Sequence, residues 1–370
     1  MKITRISVYK KSLPYVGGTY VWGAGNVIDI AMTSVVVLET DAGISGCGEF
    51  CPCGENYMGA HSEGVEAAAK LLAPVLLGED PRQVGNIERI MDSAIGGHGY
   101  AKAPFDAACW DILGKATNQP VWMLMGGKLT DGAPLYQVAP QKDIKATKRD
   151  LNALRKQGYQ QFQIKVGCDW AADIDRILEA VPLIKSHETA IADANQGWRV
   201  DHALRVGRAT RHLDYVMEQP CKTYEECQQV RKAVDLPMEL DECVTDIKMA
   251  HRIVADHGAD IVCLKISNIG GLSKAKRIRD FLVDNRYPVV CEDTWGGQIV
   301  TAALSHLATS TPSEFLFNTT DLENYVTLPT GVSGHRIENG RYYAPNSPGL
   351  GVEPDFESLG CPVAVYGKAT

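Results

Sequence analysis

No stretch of this 370-residue chain approaches the ~20 consecutive apolar residues that a membrane-spanning helix needs. An excess of cations is also missing. The net charge of −8 leaves no basic patch for nucleic acid and no polybasic membrane anchor. The opening residues, Met1-Lys2-Ile3-Thr4-Arg5-Ile6, alternate like a strand and lack the apolar run of a signal peptide. Disulfides have no clear signature: eleven cysteines are an odd number in a large chain. Cys109, Cys263 and Cys291 sit in apolar runs, where a reduced thiol behaves as a small hydrophobe. A cytoplasmic protein with neither a nucleic-acid nor a membrane partner is the expectation.

What is present is an ordinary globular composition, 45% hydrophobic and 22% charged, in a chain long enough for two domains. Residues 1–130 read as an α+β capping domain. Ile3–Val8, Val35–Leu38 and Ile44–Glu49 have strand character, and Asp41-Ala42-Gly43 forms a hairpin turn. Helical periodicity follows at Glu63–Leu77, with Val65, Ala68, Leu71, Leu72 and Val75 on one face, and at Phe105–Leu113.

From about 131 to 335 the pattern becomes strand, helix, strand. Candidate strands are Pro134–Val138, Gln161–Val166, Ala190–Ala194, Tyr215–Glu218, Pro237–Asp241, Ile261–Ile266, Pro288–Glu292 and Glu314–Phe317. Eight strands with helices between them at near-constant spacing predict an α/β fold of the (β/α)-barrel type. Residues 336–370, with Pro345, Pro348 and Gly349-Leu350-Gly351, are expected to return to the capping domain.

Five of these strands close on a charge: Lys165, Asp193, Glu218, Asp241 and Lys265. Charges at the ends of buried strands are costly unless paired. In a barrel the C-terminal strand ends face the mouth, so three acids from consecutive strands would meet there. Packed carboxylates repel unless a cation lies between them, and hard oxygen ligands suit Mg²⁺. Each acid alone could instead cap a helix or pair with an arginine. The two lysines flank the acids, and near a bound cation an ammonium pKa is expected to fall toward a range useful to a base. A neutral amine could then take a proton alpha to a metal-bound carboxylate.

This pattern resembles the enolase superfamily over nearly the whole chain. The resemblance rests on Asp106-Ala107-Ala108-Cys109-Trp110-Asp111, Met123-Leu124-Met125-Gly126-Gly127, Asp193-Ala194-Asn195, Glu218-Gln219-Pro220 and Lys265-Ile266-Ser267-Asn268. It implies a modified (β/α)7β TIM barrel with an N-terminal α+β cap, Mg²⁺ as cofactor, and an even-numbered homo-oligomer. A Lys or His base working with Mg²⁺ is a known property of that superfamily. Lysines on the second and sixth strands resemble the muconate lactonizing subgroup, since the seventh strand reads Cys291-Glu292-Asp293-Thr294-Trp295 with no histidine.

That subgroup usually carries Lys-x-Lys on the second strand, where this chain has Gln163-Ile164-Lys165. Gln163 with Asp293-Thr294-Trp295-Gly296-Gly297 resembles enzymes of proline derivatives, namely cis-3-hydroxyproline dehydratases and hydroxyproline betaine 2-epimerases. By that resemblance Lys165 and Lys265 are the acid/base pair, and Asp193, Glu218 and Asp241 hold the metal. Asn195 supports the metal ligands, while Gln163, Asp293, Tyr20 and Tyr57 contact a small amino-acid substrate. Asp293 would suit the substrate ammonium; the alternatives are that it orients a metal ligand or caps a helix.

The region Phe317–Leu322 has no tryptophan, which favours a secondary amine over a quaternary one. The lid is expected near 15–23 and 51–58, where no arginine or lysine awaits a polyanion. Tyr20 and Tyr57 could equally pack a domain interface. Cys51 and Cys53 form a lone Cys-x-Cys, which is a weak signal. The resemblance implies dehydration of cis-3-hydroxy-L-proline to 1-pyrroline-2-carboxylate. The alternatives are 2-epimerisation by the same lysines, or a catalytically silent binding protein.

Overall fold

Alternating apolar residues make the first strand long. β1 (Ile3–Pro14) is followed by a hairpin of β2 (Tyr20–Trp22) and β3 (Asn26–Ile28). β4 (Ile30–Thr40) then returns antiparallel to β1, and β5 (Ser45–Phe50) pairs with β4 across the Asp41–Gly43 turn. The computed structural model describes residues 1–139 and 144–368, so the last two residues of the expected C-terminal segment lie outside it.

Helices α1 (Glu63–Leu76), α2 (Val84–Ala94), α3 (Gly99–Thr117) and α4 (Val121–Leu124) follow. α3 is buried on nearly every side because it lies against β5 and the helices at Ile266–Ile269 and Leu272–Asp284. Its approach to β5 needs glycine: a Cβ at Gly48 would stand 2.0 Å from the Pro104 carbonyl oxygen. α1 departs from expectation. Its buried stripe is Val65, Ala68, Ala69, Leu72, Ala73 and Leu76, while Leu71 and Val75 are 59% and 40% exposed. At 3.6 residues per turn those two fall off the stripe that starts at Val65. α2 was not expected from the sequence, since it buries only Ile87, Glu88 and Met91.

β6 (Ala133–Pro134) precedes the barrel, which runs β7 (Tyr136–Ala139), α5 (Ile144–Lys156), β8 (Gln161–Lys165), α6 (Trp170–Ala180) and β9 (Thr189–Asp193). It continues α7 (Val200–Thr210), β10 (Val216–Glu218), α8 (Tyr224–Arg231), β11 (Met238–Leu240), α9 (Ile247–Asp256) and β12 (Ile261–Lys265). The last turns are α10 (Ile266–Ile269), α11 (Leu272–Asp284), β13 (Val289–Glu292), α12 (Gln298–Thr309) and β14 (Leu316–Thr319). Polar caps start several of these helices. Asp169 accepts from Ala171 and Ala172, Thr223 and Glu226 form a capping box, and Asp246 accepts from Met249.

The eight strands β7 to β14 pair in sequence order and in parallel, and a Leu135–Thr319 bridge brings the sheet's edges together. This is the nearly closed barrel that the spacing predicts. Two ends differ. Pro134 pairs with Arg341 rather than joining the barrel, and the eighth strand starts at Leu316 because Phe315 and Leu316 both turn back to the Pro312 carbonyl.

Beyond the barrel come β15 (Gly331–Ser333), β16 (Arg336–Glu338), β17 (Arg341–Tyr343), β18 (Val352–Pro354), α13 (Phe356–Leu359) and β19 (Ala364–Gly367). β19 pairs antiparallel with β1, giving the first sheet the order β19-β1-β4-β5. Inside the barrel Ile191, Val216, Ile261, Cys263 and Val290 form the floor of the core. Among the described residues no helix is long and apolar enough to cross a membrane, and every cysteine is unpaired.

His306 in α12 is fully buried; its Nδ1 accepts from the Trp122 amide at 3.1 Å and its Nε2 lies 2.9 Å from the Leu350 carbonyl. Those partners demand a neutral ring, and burial pushes its pKa down to about 4 against the pull of the Leu350 hydrogen bond. A base with a depressed native pKa stabilises the fold fully above its unfolded value of about 6.5 and progressively less as pH falls toward the native pKa. Unfolding in denaturant should therefore lose on the order of 2 kcal/mol more stability between pH 7 and 4.5 in this protein than in a His306→Gln variant. Equal losses would mean that His306 titrates alike in the folded and unfolded chains.

Candidate active site

Strand register brings the charges to one level. Lys165 lies opposite Asp193, Asp193 opposite Glu218, and Lys265 opposite Glu292. Asp241 follows one residue beyond β11. All six are buried, with Lys165 the most exposed after Glu292 at 7%. Lys165 Nζ donates to Asp193 Oδ2 at 2.5 Å, and Lys265 Nζ to Asp241 Oδ2 at 2.6 Å and Glu292 Oε2 at 3.2 Å.

Above this floor is a cavity with about 480 Å³ between atoms. Lys165, Lys265, Asp193, Asp241, Asn195, Tyr20 and Tyr57 all line it, as do Glu292, Thr294, Trp295 and Tyr325. The walls come from both parts of the chain. Tyr20, Trp22, Cys51 and Cys53 of the N-terminal loops share one apolar cluster with Trp295 and Val326 of the barrel, and Tyr57 and Tyr325 pack against it.

The acids are under strain from one another. Burial, then the charges of Asp193, Glu239 and Asp241, push the Glu218 carboxyl well above its ordinary range. Burial raises Asp241 too, with Glu292 and Asp193 adding to it against the pull of Lys265. The expected fall of the lysine pKa values belongs to a floor that holds a cation; the acids alone act in the opposite sense. Burial disfavours their charge, but Asp193, Tyr20 and Glu218 around Lys165, and Asp241 and Glu292 around Lys265, outweigh it and hold both well above the ordinary value.

A divalent cation fits this floor. Oxygens of Asp241, Glu239, Glu242, Gln163 and Asn195 are buried without a hydrogen-bond partner, beside acids whose mutual repulsion a cation would relieve. Asp241, Cys263 and Glu292 also offer ligand atoms within 4.8 Å of one another. That trio suits a hard cation poorly, because the Lys265 ammonium already bonds two of its members and the Cys263 thiol donates to Glu292 at 3.2 Å. Burial, Asp241 and Glu292 also keep that thiol protonated.

Other expected contacts sit differently. Gln163 does not line the cavity; its Nε2 donates to Glu218 Oε2 at 2.8 Å, one layer lower. Asn195 donates to Glu242 Oε1 at 3.0 Å while its amide bonds Asp193 Oδ1 at 2.8 Å. The Tyr57 hydroxyl is 3.4 Å from Asp241 Oδ2 and its ring is 5.8 Å from Lys265 Nζ. Asp293 faces away from the cavity, bonding the Ser267 hydroxyl and the Thr294 amide, and burial pushes it up to about 7.

Strand alternation explains the substitution of one acid for the other. Val290 points into the barrel core, so Glu292 does also and Asp293 does not. The Tyr136 hydroxyl donates to Glu292 Oε1 at 2.8 Å; with Lys265 this holds Glu292 ionised despite burial. Phe317–Leu322 has no tryptophan, but an indole reaches the cavity from the seventh strand's turn. Trp295, from the turn after β13, stands 5.0 Å from Tyr20 and 5.7 Å from Tyr325 between ring centroids. Cys53 lines the cavity as a buried thiol pushed up to about 12, mainly by burial.

Residues 24–126 match the family described as Mandelate racemase / muconate lactonizing enzyme, N-terminal domain, and residues 146–359 that described as Enolase C-terminal domain-like. The chain is 44% identical over 366 residues to the cis-3-hydroxy-L-proline dehydratase of Roseibium aggregatum, covering 99% of this chain and 100% of the relative. It is 34% identical over 286 residues to the N-succinyl-L-Arg/Lys racemase of Bacillus cereus, covering 75% and 76%. A mandelate racemase/muconate lactonizing enzyme from Roseovarius nubinhibens ISM superposes with a TM-score of 0.97 at 65% identity, covering 100% of this chain and 99% of that one. A second member of the superfamily from that organism, solved complexed with magnesium, gives 0.93 at 33% identity, covering 99% and 100%. The chain is an enzyme of the mandelate racemase/muconate lactonizing enzyme family of the enolase superfamily.

Proposed function

We propose that this enzyme is a Mg²⁺-dependent hydro-lyase that dehydrates cis-3-hydroxy-L-proline. The observation that carries the reading is the pair of buried lysines, on β8 and β12, flanking a floor of carboxylates in a small cavity. The whole-length likeness to a cis-3-hydroxy-L-proline dehydratase supports the substrate. Asp193, Glu218 and Asp241 would hold Mg²⁺, which when bound would offset their charge, favour neutral lysine amines and stabilise negative charge on a substrate carboxylate.

One lysine takes the alpha proton as the C–H electrons move into the carboxylate, giving an enediolate. Those electrons return to expel the 3-hydroxyl, which leaves as water with a proton from a lysine ammonium. The resulting enamine tautomerises to 1-pyrroline-2-carboxylate. Glu292, ionised and facing the cavity, pairs with the substrate's ring ammonium in the place first expected for Asp293. The loops at 15–23 and 51–58 act as a lid of residues 1–130 over the barrel, excluding water during proton transfer.

A second reading, 2-epimerisation of a proline derivative, uses the same lysines with the second returning the proton. The ring wall of Tyr20, Trp295 and Tyr325 favours it for a methylated, quaternary nitrogen. Incubation with Mg²⁺ in D₂O, followed by proton NMR of proline, the 3- and 4-hydroxyprolines and their betaines, separates the two. Alpha-hydrogen loss with pyrroline formation from cis-3-hydroxy-L-proline is expected. Exchange with inversion and no elimination would favour epimerisation, and no exchange with any of these compounds would remove the enzymatic reading.

A further inference from the structure

Glu49 stands near the end of β5, outside the barrel, yet it is only 3% exposed and accepts four hydrogen bonds. Its Oε1 takes the Thr33 hydroxyl at 2.8 Å and the Gly297 amide at 2.9 Å. Its Oε2 takes the Thr330 hydroxyl at 3.0 Å and the Val300 amide at 3.1 Å. Gly297 is the N-cap of α12 and has no side chain with which to cap it. A carboxylate from the N-terminal sheet therefore satisfies the free amides at the start of a barrel helix, where the helix dipole also favours negative charge.

Between Glu292 and Gly297 the turn is fastened at several points. Asp293 bonds Ser267, Thr294 Oγ1 donates to the Cys51 carbonyl at 2.5 Å, and Cys51 bridges Trp295 in antiparallel fashion. Gly296 holds φ +146°, and a Cβ there would stand 2.3 Å from Val300 Cγ1. Trp295 rides on this turn as part of the cavity wall, and its buried indole N–H has no partner. No hydrogen bond of the ring itself fixes its place. Ring packing against Tyr20 and Tyr325 and the backbone of the turn do, and Glu49 holds the far end of that backbone.

We propose that Glu49 is a positioning residue. By capping α12 it fixes the turn 293–297, so that Thr294 and Trp295 shape the cavity around the substrate. The inference rests on the reading that this cavity holds the substrate. In Glu49→Gln the side chain keeps its volume, but one of its two atoms becomes a donor facing two donors. KM should rise about tenfold with kcat held within about threefold, because ground-state fit is lost rather than a group that touches the reacting atoms.

The effect should run through Trp295. Trp295→Phe alone should raise KM, and adding Glu49→Gln to it should cost much less than in the parent. A readout independent of turnover is the fluorescence assignable to Trp295, taken as the difference between each protein and its Trp295→Phe counterpart. That signal should shift to the red and become quenchable by acrylamide in Glu49→Gln. If Glu49→Gln fails to fold, Thr330→Val removes one donor to the same carboxylate and should give the same changes to a smaller degree. An unmoved Trp295 signal overturns the proposal, as does a KM within about twofold of the parent or full additivity of the two substitutions. If the parent acts on no proline derivative, the functional reading fails alone, and the fluorescence still decides the role of Glu49.

Discussion

Alanine in place of either Lys165 or Lys265 should cut alpha-hydrogen exchange by about 10³-fold, the usual scale for losing a positioned acid or base. The two amines occupy different strands and bond different acids, Lys165 on Asp193 and Lys265 on Asp241. On the proposed reading they would reach a substrate held between them from different sides. If each serves one face, Lys165→Ala and Lys265→Ala should fail on opposite enantiomers in a D₂O exchange assay with L- and D-substrate. Arginine at either position should not rescue, since a guanidinium does not give up its proton at working pH. Undiminished exchange of both enantiomers in either alanine variant would exclude that lysine from the chemistry.

Glu218→Gln should separate function from stability. Burial and three neighbouring acids raise the Glu218 pKa, so its charge is a liability when no cation is bound. A neutral isostere removes that liability, and the Gln163 amide 2.8 Å away still has an oxygen to meet. In chelator the variant should be about 1–3 kcal/mol more stable than the parent, the scale seen when buried charges are replaced by neutral groups. With Mg²⁺ at a hundred times its Kd, the parent should gain about 2.7 kcal/mol by mass action. The variant should gain little and show no exchange. A variant that retains both the Mg²⁺-induced shift in Tm and the exchange would remove Glu218 from the metal cradle.

Much of the barrel was legible because buried parallel strands announce themselves as short apolar runs at even spacing. Lys165, Asp193, Glu218 and Lys265 do end strands, and Asp241 follows one. Alternation, applied one residue further, would have chosen Glu292 over Asp293, since Val290 already marks the inward face of β13. Other features were out of reach for pattern reading. The Glu49–Gly297 bond joins residues 248 apart, and no local signal predicts such a partner. α2 was missed because its buried side is thin and includes Glu88, which pairs with Arg277 of α11. Each lysine ammonium also has its own carboxylate, which holds it above its ordinary value, a pairing that strand order alone does not set.

The first sheet holds a consequence for how the molecule is made. β19 (Ala364–Gly367) pairs with β1, so one edge of that sheet is supplied only after every barrel strand has been synthesised. On the ribosome β1, β4 and β5 emerge early and must wait with the outer edge of β1 unpaired while some 300 residues follow. An unpaired edge of that length invites pairing with a neighbouring nascent chain. A chain stopped short of Ala364 would carry its five strand-end charges and still keep that edge open.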